Sequence, residues 1–282
     1  MTLTINTNLS SLIVQKNLSS ATTSLNSAIE KMSTGYKINH AKDNAAGYSI
    51  ATNWKTKLSS LDIASENASM GADLLKTAEE NYSLITSHLQ RVRDLTEQAA
   101  NGTYGSDSLK AISSEMTARL NEIDRISKNV EFNGIKLMDG TGGAITLQVG
   151  LDAVAANSQI TLEATLFSAA DSKSLLGAEI AEFVKDAADS TKAAGKLAKI
   201  DEVITKISDK VTSIGSAQNR VESAISSISV QSENLTSSLS TLRDADVAEE
   251  SSSYIKAQIL QQASATLLAT ANQMPSIALN LI

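Results

Sequence analysis

The sequence predicts a mainly α fold: a long antiparallel coiled-coil helical rod with a small β-hairpin region, whose discontinuous N- and C-terminal arms pair. Apolar residues recur in alternating steps of three and four along two long stretches, the signature of helices packed side by side. Aromatic residues make up only 3% of the 282 residues and there is one proline, so the core must be built from aliphatic side chains. Charge is scarce at both ends: residues 1–29 carry only Lys16, and residues 257–282 carry none.

Each element follows from local pattern. Val14, Leu18, Ala21, Leu25, Ala28 and Met32 step by four and three and predict a first helix with one apolar seam. A second seam, through Leu61, Ala64, Ala68, Gly71, Leu75, Ala78, Tyr82, Ile85, Leu89 and Val92, predicts a long helix. "NGTYGS" at 101–106 supplies turn chemistry, and Leu109, Ile112, Met116, Leu120 and Ile123 predict an amphipathic helix ending near Val130. Over about 131–166 the period changes. Asn-Gly, Asp-Gly and Gly-Gly stand beside short β-rich runs in "FNGIKLMDG" and "TGGAITLQVG", and "SQITLEATL" alternates, which predicts one or two small hairpins. Residues 168–195 are small, polar and weakly patterned, and read as a connector where the chain turns back.

The most regular seam comes next: Ile200, Ile204, Ile207, Val211, Ile214, Gln218, Val221, Ile225, Ile228, Ser232, Leu235, Leu239 and Leu242. At about 1.5 Å per residue such a helix is roughly 65 Å long, which is why a rod is expected. Gln218 and Ser232 interrupt its apolar run. Polar residues at core heptad positions specify alignment at a cost in stability, so these two are candidate register devices. Leu260, Ser264, Leu267, Ala271, Met274, Ala278 and Leu281 continue the same period at the end of the chain, where Pro275 is expected to kink or stop the helix. With the two long helices antiparallel, first and last residues finish together. Val14, Leu18, Leu25, Met32, Leu260, Leu267, Met274 and Leu281 are therefore candidate contacts of a terminal coiled coil in search of partners.

Several function classes fall away. A net charge of −7 and a pI near 5.0 leave no electrostatic footprint for nucleic acid. Zero cysteines exclude disulfides, Cys-ligated metals and thiol catalysis. His40 and His88 are the only histidines, there is no HExxH, and "GTGG" at 140–143 lacks the Lys and following helix of a phosphate loop. No enzyme activity, metal or cofactor is expected, and His88 reads as a bundle-edge side chain. No basic stretch followed by an apolar run suggests a cleaved signal at the N-terminus. Gln258, Gln261, Gln262, Asn272, Gln273, Pro275 and Asn280 rule the tail out as a transmembrane helix, for which roughly 20 apolar residues are needed. A secreted, membrane-binding amphipathic protein is the alternative from another class. Against it, neither end carries the Lys and Arg that such helices place on their polar face.

Seven motifs, in order and at both ends, resemble bacterial flagellin: "INTN" (5–8), "AKDNAAGYSIA" (41–51), "LQRVRDL" (89–95), "RLNEIDRI" (119–126), "FNG" (132–134), "QNRVESAI" (218–225), and "KAQILQQA" with "ATANQMP" (256–275). The resemblance covers roughly residues 1–166 and 196–282. It implies a secreted structural subunit that polymerises with itself into the extracellular flagellum for swimming motility. It further implies export with the help of a chaperone, addition under a filament cap, and contact with hook-associated junction proteins. By the same resemblance, 1–43 and 243–282 form a terminal inner-tube domain. Residues 44–167 and 196–242 form a helical core domain, and the short connector 168–195 stands where longer members carry outer domains. Gln90, Arg91, Leu95 and Glu115 fall on the positions by which many flagellins are detected by an innate-immune Toll-like receptor. A hook-filament junction protein resembles the family at both ends and is the alternative within the class.

Overall fold

The computed structural model describes residues 8–151 and 155–279. In chain order the elements are α1 (Leu9–Thr34), α2 (Ala45–Ala100), α3 (Ser106–Asn129), β1 (Glu131–Phe132), β2 (Ile135–Lys136), β3 (Ile145–Gln148), α4 (Ala155–Ser158) and β4 (Gln159–Leu162). A single 3-10 turn (Ala164–Phe167) follows, then α5 (Ser172–Leu176), α6 (Ile180–Ala187), α7 (Ala193–Arg243) and α8 (Val247–Leu279). The chain divides into two units: residues up to Leu58 together with those from Glu233 onward, and Ser59–Ser232.

In the first unit, α1 starts at Asn8, whose side chain accepts the Ser11 N–H at 3.0 Å, and stops at Gly35. Gly35 takes the left-handed conformation (φ 74°) that lets its N–H return to Lys31 O at 2.9 Å, a conformation a Cβ would disfavour. The link to α2 is tied by its own side chains. Asp43 Oδ2 accepts the N–H groups of Asn39 and His40, and Asn44 Oδ1 accepts that of Gly47, which caps the incoming helix. Those backbone donors, the His40 one foremost, hold the Asp43 carboxyl below its ordinary range. Tyr36 bridges to Asp244, and the Arg243 guanidinium lies 4.2 Å from the Tyr36 ring centre while its Nε donates to Ile38 O at 3.1 Å. The α1 exit and the α7–α8 joint are thereby held together.

The second unit is a helical core. All ten residues of the predicted α2 seam from Leu61 to Val92 are buried. From Ala68 onward its large and aliphatic members share one core with Ile200, Val203, Ile207, Ile214 and Val221 from α7 and Ile112, Met116, Leu120 and Ile123 from α3. Two antiparallel hairpins follow α3, as the change of period predicts. β1–β2 turns through Asn133 (φ 48°) and Gly134 (φ 80°), the pair of positive-φ residues that a two-residue hairpin turn requires. β3 pairs with β4 from Ile145↔Leu162 to Gln148↔Gln159 and docks on α2 at Gly71, where a Cβ would overlap Leu147.

Two expectations are corrected. Residues 168–195 do more than turn the chain: α5 and α6 pack on α3 and bury Leu176, Phe183, Val184 and Ala187 in the common core. The short apolar run "EFVKDAA" holds too few turns for its period to stand out in the sequence. Pro275 does not stop α8, which continues to Leu279. A proline removes one backbone donor, and a helix with only one turn left to run can tolerate that loss.

Candidate assembly and recognition surfaces

α1 and α8 pair antiparallel. Asn8 Nδ2 donates to Ala271 O and Ser11 Oγ to Asn272 Oδ1, both at 2.7 Å; Gln261 Nε2 donates to Thr22 Oγ1 at 3.2 Å; Lys31 Nζ reaches Glu250 Oε1 at 2.9 Å. The fully buried side chains between them are small: Ala21, Ala28, Ala257, Ser264 and Ala271. Small residues allow backbones to approach, and Cα atoms of the two helices repeatedly come within 8 Å. Val14, Leu18 and Leu25 are half-buried at the edges of this seam.

Three of the terminal candidates lie elsewhere. Leu260 is 49% exposed, Leu267 is 56% exposed, and Met32 also faces out. The reason is that α8 carries two apolar stripes. Ala257, Gln261, Ser264, Leu268 and Ala271 turn toward α1, while Ile255, Ile259, Leu260 and Leu267 turn away; the first three of these, with Ser252 and Lys256, border a groove of about 430 Å³. Leu9, Leu12, Ile13 and Ile29 are exposed on α1 in the same way. Leu281 and the side chain of Met274 lie outside the described residues.

The central seam is fastened by polar contacts at its flanks. Gln218, half-buried on α7, donates from Nε2 to Glu79 Oε2 on α2 at 2.7 Å, and Arg93 Nε donates to Asp201 Oδ1 at 2.6 Å. As the α2 residue advances from Glu79 to Arg93 its α7 partner falls back from Gln218 to Asp201, so α2 and α7 are antiparallel. Ser232 is half-buried at the last residue of this unit. Tyr82, fully buried, donates its hydroxyl to Leu166 O at 3.0 Å, and burial raises its pKa to about 12.

Of the four recognition candidates, three have exposed or half-exposed side chains and one is buried. Gln90 is exposed. Arg91 grips Glu115 with two hydrogen bonds, Nε to Oε1 at 2.9 Å and Nη2 to Oε2 at 3.2 Å, and Arg119 stands 3.6 Å from the same carboxylate. The hydrogen bond from Arg91 is the foremost reason the Glu115 carboxyl sits below its ordinary range, and its counterpart raises the guanidinium. Leu95, by contrast, is 1% exposed and belongs to the core, so it cannot meet an outside partner while the core is closed. Its apolar side chain beside the seam, three residues after Val92, is the sequence signal for that burial. His88 is half-buried beside this surface, its pKa lowered first by burial and then by Arg119.

Among the described residues there is no group of three or more His, Asp or Glu able to hold a metal, and no helix long and apolar enough to cross a membrane. The bacterial flagellin N-terminal helical region matches residues 5–142, and the bacterial flagellin C-terminal helical region matches 197–282. A flagellin of Bacillus subtilis (strain 168) is 35% identical, with 99% of each chain covered. The flagellar filament 33 kDa core protein of Treponema phagedenis is 31% identical over the same shares. In fold alone, a putative flagellar hook-associated protein from Vibrio parahaemolyticus is similar, with a TM-score of 0.60, 13% identity, and coverage of 72% of this chain and all of that one.

Proposed function

Because the chain belongs to the bacterial flagellin family, we infer that it is a structural subunit that polymerises with copies of itself into the flagellar filament outside the cell. It is a structural protein and not an enzyme, as that family is. The observation that carries the reading at the level of residues is the inverted seam of α1 and α8. Small side chains are inside, and Leu9, Leu12, Ile13, Ile259, Leu260 and Leu267 are outside. Burying a Leu or Ile contributes about 1.5–3 kcal/mol, so neighbouring copies that cover this stripe gain what the lone pair leaves in water.

In this reading residues 1–43 and 243–282 form the inner-tube domain, and 44–167 and 196–242 form the helical core domain. Gln218, through Glu79, fixes the register of α2 against α7, with Ser232 as the second such position. The monomer is carried by an export chaperone through the flagellar secretion channel, added under a cap, and joined to the hook through junction proteins. The Gln90, Arg91 and Glu115 surface is offered to a Toll-like receptor by the monomer, with Leu95 supporting it from below.

A truncation ending at Lys256 tests the central claim. Electron microscopy after salt-induced polymerisation should show long filaments from the full chain and none from the truncation, whose circular dichroism should keep the helical core. Filaments from the truncated chain would remove the terminal pair from assembly. A full chain that forms only short caps on preformed filaments would favour a hook-filament junction role.

A further inference from the structure

The other partly buried lysines among the described residues have a carboxylate: Lys31 meets Glu250, Lys196 meets Asp186, Lys199 meets Glu202, and Lys136 meets Glu131. Lys210 is different. It is half-buried on α7, its Nζ donates to Ser168 Oγ, and it lies 5.6 Å from the centre of the Tyr82 ring. Around it α2 offers that ring and the segment after the 3-10 turn offers a hydroxyl; neither carries negative charge. Its neighbour Lys206 is engaged with Glu202, and among the described residues no carboxylate, that of Asp209 included, forms an ion pair with Lys210. Burial alone lowers the Lys210 pKa, with no charged neighbour among the causes.

We propose that Lys210 is a preferred site of covalent acylation, taking small activated acyl donors of the acyl phosphate class. The neutral amine attacks the carbonyl carbon of the donor and a C–N bond forms. The C–O bond to phosphate breaks, phosphate leaves with the electron pair, and the amine proton passes to solvent, so nothing is oxidised or reduced. Two physical terms favour this position. A desolvated ammonium without a counter-ion gives up its proton more readily than an exposed one, which raises the share of the nucleophilic form. The amide product is uncharged, so forming it at Lys210 removes an uncompensated half-buried charge, whereas at Lys31 or Lys199 it breaks an ion pair.

The test is limited acetylation of the full-length monomer with acetyl phosphate, followed by mass spectrometry of each lysine. At about pH 8, Lys210 should be acetylated at least about threefold faster than Lys55, Lys57 and Lys185, which lack ion pairs among the described residues. The advantage should shrink toward about pH 11, where most ordinary lysine amines are also neutral. Equal or slower labelling of Lys210 at the lower pH overturns the proposal, whether the cause is an ordinary pKa or shielding from the reagent. A Ser168→Ala variant adds an independent reading. Loss of the hydroxyl acceptor should speed Lys210 labelling further, and a fall would show that Ser168 is needed to present the amine and that the geometry argued above is wrong.

Discussion

The two units use opposite solutions to the same problem of packing long helices. Between α2 and α7 the seam is filled by Leu75, Tyr82, Ile85, Leu89 and Val92 against Ile200, Ile207, Ile214 and Val221, all without exposed surface. Between α1 and α8 the filled positions are mostly alanines, and the large aliphatic side chains lie outside. A buried methyl or methylene is worth about 0.8 kcal/mol and a buried Leu or Ile about 1.5–3, so each seam position of the terminal pair contributes a fraction of what the central seam does. Helices that gain so little from their own seam are marginal alone and become stable through what else covers them. One unit is finished by folding, and the other is left for assembly to finish.

Leucines at equivalent-looking places should break that comparison most sharply if it is wrong. Leu95→Ala empties a position in the closed core and should cost about 2–5 kcal/mol, seen as a large drop in the melting temperature of the monomer. Leu260→Ala, on the outer stripe of α8, should change monomer stability by less than about 0.5 kcal/mol and still reduce filament yield. Arg91→Ala belongs with the second case: it should leave the melt almost unchanged, so any fall in a receptor-reporter assay would report contact and not folding. A parallel loss of melting temperature and signal in Arg91→Ala would put the surface reading aside.

The next effect down is steric. Ala28 is buried where α1 and α8 approach closely, and Ala28→Leu should overpack the seam by about 1–3 kcal/mol. Hydrogen exchange of α1 amides should quicken while the amides of α7 keep their protection. If exchange in α1 is unchanged, the seam has room and the small residues are not what sets the approach of the backbones.

Periodicity made the helices, the hairpins and every residue of the α2 seam legible in the sequence, because one apolar stripe on an otherwise polar helix has one place to go. It was less informative on α8. There, Leu260 and Leu267 alternate with Ser264 and Ala271 in the same three-four rhythm, and the spacing cannot say which of two stripes faces α1. Steric fit decides, since only the Ala257, Ser264 and Ala271 side lets the backbones close. α5 and α6 were missed because a helix of eight residues shows little more than two turns of pattern, and Phe183 gained its burial from α3, far away in sequence. Leu95 shows the limit of a family motif: the resemblance makes it a recognition candidate, and the fold buries it in the core beside the α2 seam.

Register is the subtler contribution of the central unit. Replacing both Gln218 and Ser232 with Leu should hold or raise the stability of the monomer, because burial of two Leu side chains, at about 1.5–3 kcal/mol each when complete, offsets the loss of a hydrogen bond worth about 1 kcal/mol net. Filaments should nevertheless lose regular order, because the Glu79 contact no longer distinguishes one heptad alignment from the next. Diffraction from, or image averaging of, such filaments decides it. Normal helical order in the double variant would mean that the two polar residues are merely tolerated.

The smallest effect expected is on acid sensitivity, and it separates the units again. In the central unit the carboxyls of Glu115, Glu122 and Asp186 sit below their ordinary range, and Glu202 is drawn down to about 2, each first through a hydrogen bond from a basic side chain. A carboxyl whose folded pKa is depressed adds stability that is present above its unfolded pKa and lost as pH falls through the folded one. The window here runs from about 4.5 down to about 2. These pairs are solvent-exposed, so the loss is modest and should shrink further in salt. The α1–α8 seam instead leans on neutral donors and acceptors, Asn8 to Ala271, Ser11 to Asn272 and Gln261 to Thr22, which do not titrate in this range. Between about pH 6 and about pH 3, after correction for intrinsic exchange, amides of α3 and of the start of α7 should lose protection while those in the middle of α1 and α8 change little. Greater loss in α1 than in α7 would mean that the Lys31–Glu250 pair, and not the small-residue seam, holds the termini together.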